Sequence, residues 1–255
     1  RSESAKGETV QDWAEERLGI NGAEIDRGPV RSFPPASARL NVPLEQRLRA
    51  AGSPSTSATP LDIEEEYRSR GGVVHRLDKE TSGILLIAKN PQSFLNLKNQ
   101  FKDRIVEKEY FALAHGEVKP EEGVINVPVG RLPYNRTKFG VIVGGREAET
   151  QYQVLSIKYF VSKNKREPLS YLRLNPKTGR THQIRVHLKY INHPIFADPL
   201  YAGRKVGRDD RKYLSRLFLH ASKISFNHPV SLKKLTFESP LPKDLQDFLG
   251  QLTTS

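Results

Sequence analysis

Val106-Glu107-Lys108-Glu109-Tyr110-Phe111-Ala112-Leu113-Ala114-His115 alternates well enough to predict a β-strand. Tyr110, Ala112 and Ala114 fall on one side of it, and Phe111 and Leu113 on the other. Upstream, residues 72–78 read as a short strand running into a turn, and residues 84–88 as an apolar strand. Asn90-Pro91 then supplies an N-cap and an N1 proline for a helix with Phe94, Leu97 and Phe101 on one face. Downstream, residues 149–157 and 169–174 read as further strands, and residues 175–179 as a turn. Thr181 opens a helix whose Ile184, Leu188 and Ile191 face inward. Strands outnumber helices and in places follow one another directly. That predicts an α+β fold with a mixed, largely antiparallel sheet flanked by helices, rather than a doubly wound parallel sheet.

The segment before Gly71 has a different texture. Residues 10–18 (VQDWAEERL) predict a short amphipathic helix, whereas Pro34-Pro35 and the Ser/Thr/Pro stretch at 53–60 are linker compositions. We therefore expect two parts, an ill-defined N-terminal segment or linker at 1–70 and a folded domain at 71–255. Charge divides at the same place. Residues 1–70 carry 10 Lys and Arg against 12 Asp and Glu, and residues 71–255 carry 31 against 17, so the formal +12 belongs wholly to the second part. A domain this basic points to a polyanionic partner, nucleic acid before membrane, with charge kept only for solubility as the bland alternative. The chain has no Cys, which excludes disulfides, thiolate metal sites and a cysteine nucleophile. No apolar run of transmembrane length and no secretory h-region occur. The expected location is intracellular, cytoplasmic or organellar, the mitochondrion included. Met is absent even at the first position, so residues 1–70 are expected to be incomplete or divergent.

Three segments carry candidate chemistry. In residues 75–83 (HRLDKETSG), Asp78 is crowded by Arg76 and Lys79, and Thr81, Ser82 and Gly83 are ready to donate hydrogen bonds. Such surroundings keep a carboxylate ionised, as a nucleophile or general base requires, although an Asp in a turn is by default only a turn former. In residues 179–187 (GRTHQIRVH), Arg185 reads as a fixed cation for a phosphate or for the Asp78 carboxylate. His182, His187 and His193 lack the spacing of a metal-binding helix and no acidic ligand stands among them, so no metal is expected. Tyr110 is either a core residue or a ring on which a nucleobase stacks. Basic residues with interleaved aromatics at 131–138 (RLPYNRTK) and again at 204–216 fit a surface that tracks an RNA backbone.

On these segments the sequence resembles the RluA-type family of RNA pseudouridine synthases. HRLDKETSG at 75–83 is similar to the family's catalytic motif, VEKEYFALAHG at 106–116 to its tyrosine motif and GRTHQIRVHL at 179–188 to its later arginine motif. ADPLYAG at 197–203, LHA at 219–221, NHPV at 227–230 and SPLP at 239–242 follow in the family's order. The resemblance covers about residues 71–247 and implies a pseudouridine synthase-like catalytic domain. It makes Asp78 the nucleophilic aspartate, Tyr110 the ring on the target uracil and Arg185 the partner of Asp78. Arg76 becomes the side chain that enters the RNA stack, with His75, Arg180, Thr181, His182, Gln183, Ile184, Arg131, Arg136 and Lys138 as further RNA contacts. Neither cofactor nor metal is implied. The implied partner is rRNA or tRNA, free or within a ribosomal subunit or its precursor. Nothing in residues 1–70 matches the Lys-Pro-Ala-Gly-like stretch usual before the catalytic motif. The alternative is an RNA chaperone or ribosome-assembly factor on the same fold, with catalysis secondary or lost.

Overall fold

The computed structural model of the chain describes Ala14, Arg17, residues 60–162 and residues 165–254, the side chains of Arg136 and Ser162 excepted. The helix expected at 10–18 (Ala14 and Arg17 aside), the linker up to residue 59 and the expected incompleteness of that segment lie outside the described residues. From Pro60 onward the first element, helix α1 (Pro60–Ser69), was not foreseen. Its signals are local: a proline at the first position, Asp62 in the first turn, and Glu64–Arg68 and Glu66–Arg70 pairs one turn apart at 2.6 and 3.5 Å.

Packing divides the chain into two units. The first reaches to Val74 and includes Ile87–Leu95. There Tyr67 meets Phe94 edge-on at 5.9 Å between ring centroids, and Ala88 N–H donates to the Gly72 carbonyl at 2.9 Å. Gly72 has a φ of +69°, and a Cβ on it would stand 2.4 Å from the Ala88 carbonyl oxygen. The chain passes this point only as glycine.

The second unit comprises His75–Leu86 and Asn96–Ser255. Its strands are β1 (Ser82–Gly83), β2 (Glu107–His115), β3 (Glu122–Asn126), β4 (Val129–Leu132), β5 (Asn135–Val141), β6 (Glu149–Ser162), β7 (Lys165–Pro176), β8 (Leu219–Asn227) and β9 (Lys234–Glu238). Its helices are α3 (Gln183–Tyr190), α4 (Arg204–Asp210) and α5 (Lys243–Gln251), and α2 (Pro91–Lys102) precedes β2. Seven strands form one sheet in the order β1-β8-β2-β7-β6-β3, with β9 on β8. Only β1–β8 is parallel; the other pairings of this sheet are antiparallel, and β4–β5 forms a separate hairpin.

Two local expectations need correction. Residues 72–78 and 84–88 form no strand, only an isolated Val73–Ile87 bridge, and the strand between them is the two-residue β1. Positive φ at Gly71 and Gly72 turns the backbone away, and the Leu86 N–H donates to His75 Nε2 at 2.9 Å instead of to a neighbouring strand. The alternation in β2 also does not separate core from solvent, since Ala112, Leu113 and Ala114 are all buried. β2 lies between β7 and β8 with both faces covered, so its inner residues are apolar on both sides. The helix at Asn90-Pro91 forms as expected, with Ser93 N–H donating to Asn90 Oδ1 at 2.8 Å. The core gathers Leu113, Leu169, Leu172 and Leu188 with Phe196, which stacks on Phe248 at 4.8 Å. Among the described residues no helix is long and apolar enough to cross a membrane.

Candidate active site

Asp78 sits in a turn closed by Thr81 N–H donating to its backbone carbonyl at 2.9 Å. The chain then enters β1, where Gly83 has a φ of +116° and a Cβ would come within 2.1 Å of the Ala221 carbonyl oxygen. Glycine is therefore the residue that lets β1 lie parallel on β8 and fixes the turn before it. Ser82 Oγ shares a hydrogen bond with His220 Nδ1 at 2.9 Å and accepts from both terminal nitrogens of Arg216 at 3.1 Å. Arg216 also donates to the Glu80 carbonyl at 3.0 Å, and Arg211 pairs with the Glu80 carboxylate. The expected donation to Asp78 by Thr81 and Ser82 side chains is thus corrected. Ser82 is committed to β8 and Arg216, and Thr81 Oγ1 is buried without a hydrogen-bond partner among the described residues.

The partner of Asp78 comes from α3. Arg185 Nη1 donates to Asp78 Oδ2 at 3.1 Å across 107 residues of sequence. Sequence reasoning missed what holds that guanidinium. Asp198, fully buried, accepts Arg185 Nε on Oδ2 at 2.7 Å and Arg185 Nη2 on Oδ1 at 2.9 Å. Leu200 and Tyr201 N–H groups donate to the same Oδ1 at 2.8 and 3.1 Å. The only available signal was the acidic residue within ADPLYAG.

Geometry divides the charge unequally. Asp198 takes the bidentate pair on Arg185, while Asp78 receives a single, longer bond. Burial works to lower the Arg185 pKa, but the hydrogen bonds and charges of Asp198 and then Asp78 outweigh it, so its pKa is raised and the guanidinium stays charged.

The other carboxylate oxygen, Asp78 Oδ1, faces His182 Nε2 at 4.0 Å. His182 Nδ1 shares a 2.9 Å hydrogen bond with the Tyr201 hydroxyl, which accepts from Phe139 N–H at 3.0 Å. Burial lowers the His182 pKa against the opposing pull of Asp78, so the ring is neutral near pH 7. α3 begins at Gln183 and not at Thr181, because His182 holds a left-handed conformation with φ 55°. A non-glycine residue in that region marks local strain of the kind stored at functional sites.

Tyr110 approaches from the sheet. β2 and β8 shift register between Glu109 and Tyr110, a bulge-type irregularity of the sort that re-aims a side chain. Burial first and the Asp78 charge second raise its pKa far above the ordinary phenol range, so it presents a neutral ring. Asp78, Tyr110, Arg185 and His182 are thus brought together. Arg76 is exposed next to them with no partner among the described residues.

The remaining expected RNA contacts divide. Gln183 and Ile184 are buried, which corrects their placement on an RNA-facing surface. Gln183 bonds Thr178 Oγ1, Arg180 N–H, the Glu149 carbonyl and Thr150 Oγ1, and Ile184 belongs to the core. His75 is likewise occupied, bonding Leu86 and stacking on Phe101 at 4.9 Å. Thr181 is half-buried. Arg180 donates to the Glu147 carbonyl at 2.9 Å, and burial with the charges of Arg146 and Arg104 lowers its pKa. The basic stretch at 131–138 is a β-hairpin. In it Arg131 lies over the Phe139 ring at 5.3 Å and Lys138 donates to the Leu200 carbonyl at 2.9 Å; the side chain of Arg136 lies outside the described residues.

His187 and His193 turn to different partners. His187 shares hydrogen bonds with Thr150 Oγ1 at 3.0 Å and the Val127 carbonyl at 3.1 Å, and His193 with the His115 carbonyl at 2.8 Å. Among the described residues no three His, Asp or Glu side chains gather as metal ligands. The site offers one carboxylate with an oxygen free of hydrogen bonds among the described residues, a cation that orients it, and a neutral aromatic ring within electrostatic reach of it. That set suits attack on an electrophilic carbon while a planar group is retained.

Comparison with known proteins gives a consistent picture. The family model described as RNA pseudouridylate synthase matches residues 51–190. A Chloroflexus aurantiacus protein called an uncharacterized RNA pseudouridine synthase is 42% identical over 183 residues, 72% of this chain and 54% of its own length. The ribosomal large subunit pseudouridine synthase D of Neisseria meningitidis serogroup B is 40% identical over 190 residues, 72% of this chain and 48% of its own length. The chain therefore spans about half the length of the curated relatives it matches. Among solved structures, human RNA pseudouridylate synthase domain containing 1 superposes with a TM-score of 0.59 at 29% identity, covering 69% of this chain and 72% of that one.

Proposed function

Because this chain belongs to the RNA pseudouridylate synthase family, we propose that it isomerises specific uridines in structured RNA to pseudouridine, using Asp78 at the ribose C1′. The reaction cleaves the N1–C1′ glycosidic bond, turns the uracil and joins C5 to C1′; C5 gives up its proton and N1 ends protonated. Substrate and product have the same composition, so no redox partner or energy source enters. The observation that carries the reading is the asymmetric Asp78–Arg185–Asp198 triad, in which Asp78 keeps one oxygen open.

Each residue has a part. Asp78 supplies the carboxylate at C1′. Arg185 holds it aimed. Tyr110 offers its π-face to the detached base, which has no covalent tether while it turns. Its neutral phenol adds no second negative charge beside the base, which leaves C1′ with the N1 electron pair. Arg76, exposed beside the site, fills the gap left when the target nucleotide leaves its stack, a displacement costing a few kcal/mol. The reaction is assigned to residues 71–255. Relatives named for the large ribosomal subunit favour its rRNA as the target, and the bacterial relatives favour an intracellular site of action.

The test is incubation with total rRNA and tRNA, chemical mapping of pseudouridine, and an Asp78→Asn control. New pseudouridine at defined large-subunit positions, absent with Asp78→Asn at RNA affinity within a few-fold of wild type, is the expected result. Modification confined to tRNA would move the target. Turnover by Asp78→Asn near the wild-type rate would remove Asp78 from the chemistry.

A further inference from the structure

Helix α4 carries Arg204, Arg208 and Arg211 at i, i+4 and i+7 counting its C-cap, so the three cations share one face. Together with Lys138, Pro199, Leu200 and Gly207 they line a pocket of about 340 Å³. The acids of this helix do not neutralise the stripe. Asp210 is buried, bonding His115 Nε2 at 2.9 Å and Ala197 N–H at 3.0 Å, and Asp209 pairs with Lys212 at 2.6 Å. Arg204 and Arg208 are exposed and have no partner among the described residues. Like charges one turn apart disfavour a helix, and a bound anion removes that penalty.

The pocket is built against the active site. A Cβ on Gly207 would stand 2.7 Å from the Asp198 carbonyl oxygen, so glycine lets α4 press on the loop that anchors Arg185. Pro199 and Leu200 in the wall lie between Asp198 and Tyr201. Lys138 is fixed by its bond to the Leu200 carbonyl. Arg211 is fixed by the Ala197 carbonyl at 3.3 Å and by Glu80, two residues from Asp78. Two cations thus form rigid walls and two stand open.

We propose that this pocket binds the phosphodiester backbone of the RNA strand whose uridine enters the Asp78 site, a reading that rests on the proposed function. The stripe from Arg204 to Arg211 runs about 10 Å along the helix, at 1.5 Å per residue. That is longer than one phosphate group and suits successive phosphates of a strand.

The experiment measures binding of a labelled single-stranded RNA between about 50 and 200 mM salt. It compares wild type, Arg204→Ala/Arg208→Ala and the charge-matched Lys233→Ala/Lys243→Ala, with thermal melts to verify folding. The arginine variant should bind on the order of ten-fold more weakly at low salt. Its log–log salt slope should be shallower by roughly 0.7–1.4, one to two phosphates' worth, while the lysine variant keeps the wild-type slope. Equal slopes for all three proteins overturn the proposal. So does displacement of RNA by millimolar inorganic phosphate or AMP beyond that of sodium chloride at equal ionic strength, which marks a site for a free phosphate. A slope change with no pseudouridine formed on rRNA or tRNA sinks the isomerase reading and leaves the backbone site standing.

Discussion

Asp198→Asn is the sharpest probe of the triad, because it preserves volume and removes only charge and acceptor capacity. In the wild type Oδ1 accepts from Arg185 Nη2, Leu200 N–H and Tyr201 N–H, and Oδ2 accepts from Arg185 Nε at 2.7 Å. An amide has a single oxygen. With that oxygen on the crowded side, its NH₂ faces Arg185 Nε, donor against donor, in a fully buried location. Breaking one side of a buried ion pair costs roughly 3–5 kcal/mol, and Asp78 still pairs with Arg185, so the lower end applies, about 3 kcal/mol. For a domain of this size that is a fall in Tm of roughly 6–12 °C by circular dichroism. A second readout follows from the same geometry. Freed from Asp198, the guanidinium turns both arms to Asp78 and occupies the open oxygen, so single-turnover isomerisation slows while RNA affinity holds. A Tm within about 2 °C of wild type with the rate intact would refute the division of labour between the two carboxylates.

Burial lowers the pKa of His187, His220 and His182, so below the unfolded value of about 6.5 the unfolded chain takes up protons that the folded one refuses. Stability should fall as pH drops from 7.5 to 5.5, by at most about 1.4 kcal/mol per unit for each group; a flat urea midpoint over that range contradicts it. Burial lowers Lys108 to about 8, so its buried charge costs roughly 3 kcal/mol below pH 8, and stability rises with pH from there to its ordinary value. Lys108→Met should be the more stable protein at pH 7, with the gap closing by about pH 10.5; a less stable variant would mean that the 3.3 Å bond to the Thr178 carbonyl outweighs desolvation. Thr81→Val removes a buried hydroxyl without a partner and should leave Tm unchanged or raised by a few degrees; a clear loss of Tm would reveal a partner for that hydroxyl.

Sequence separation decides how much of this protein was legible beforehand. The strand at 106–115, the Asn90-capped helix, the strands within β6 and β7 and the concentration of positive charge after residue 70 are all patterns within a few residues, where backbone geometry sets the period. The nearness of Arg185 to Asp78 was anticipated across 107 residues because the motifs resembled a family and an ionised carboxylate needs a cation. Helix α1 was missed beside a Ser/Thr/Pro stretch, although its end charges were readable.

Tertiary structure alone decided the rest. Asp198 lies 13 residues from Arg185 with no periodic relation to it, and only the loop folded against α4 through Gly207 brings its carboxylate to the guanidinium. Gln183 is buried because it bonds the Glu149 carbonyl and Thr150 Oγ1, 34 and 33 residues away, whereas Ile184 faces inward as its helical spacing predicts. The commitment of Ser82 to β8 arose from a parallel pairing 138 residues apart. Local sequence determines which elements form. Which side chains share a charge, and which are left open for an anion, depends on long-range packing that local periodicity does not encode.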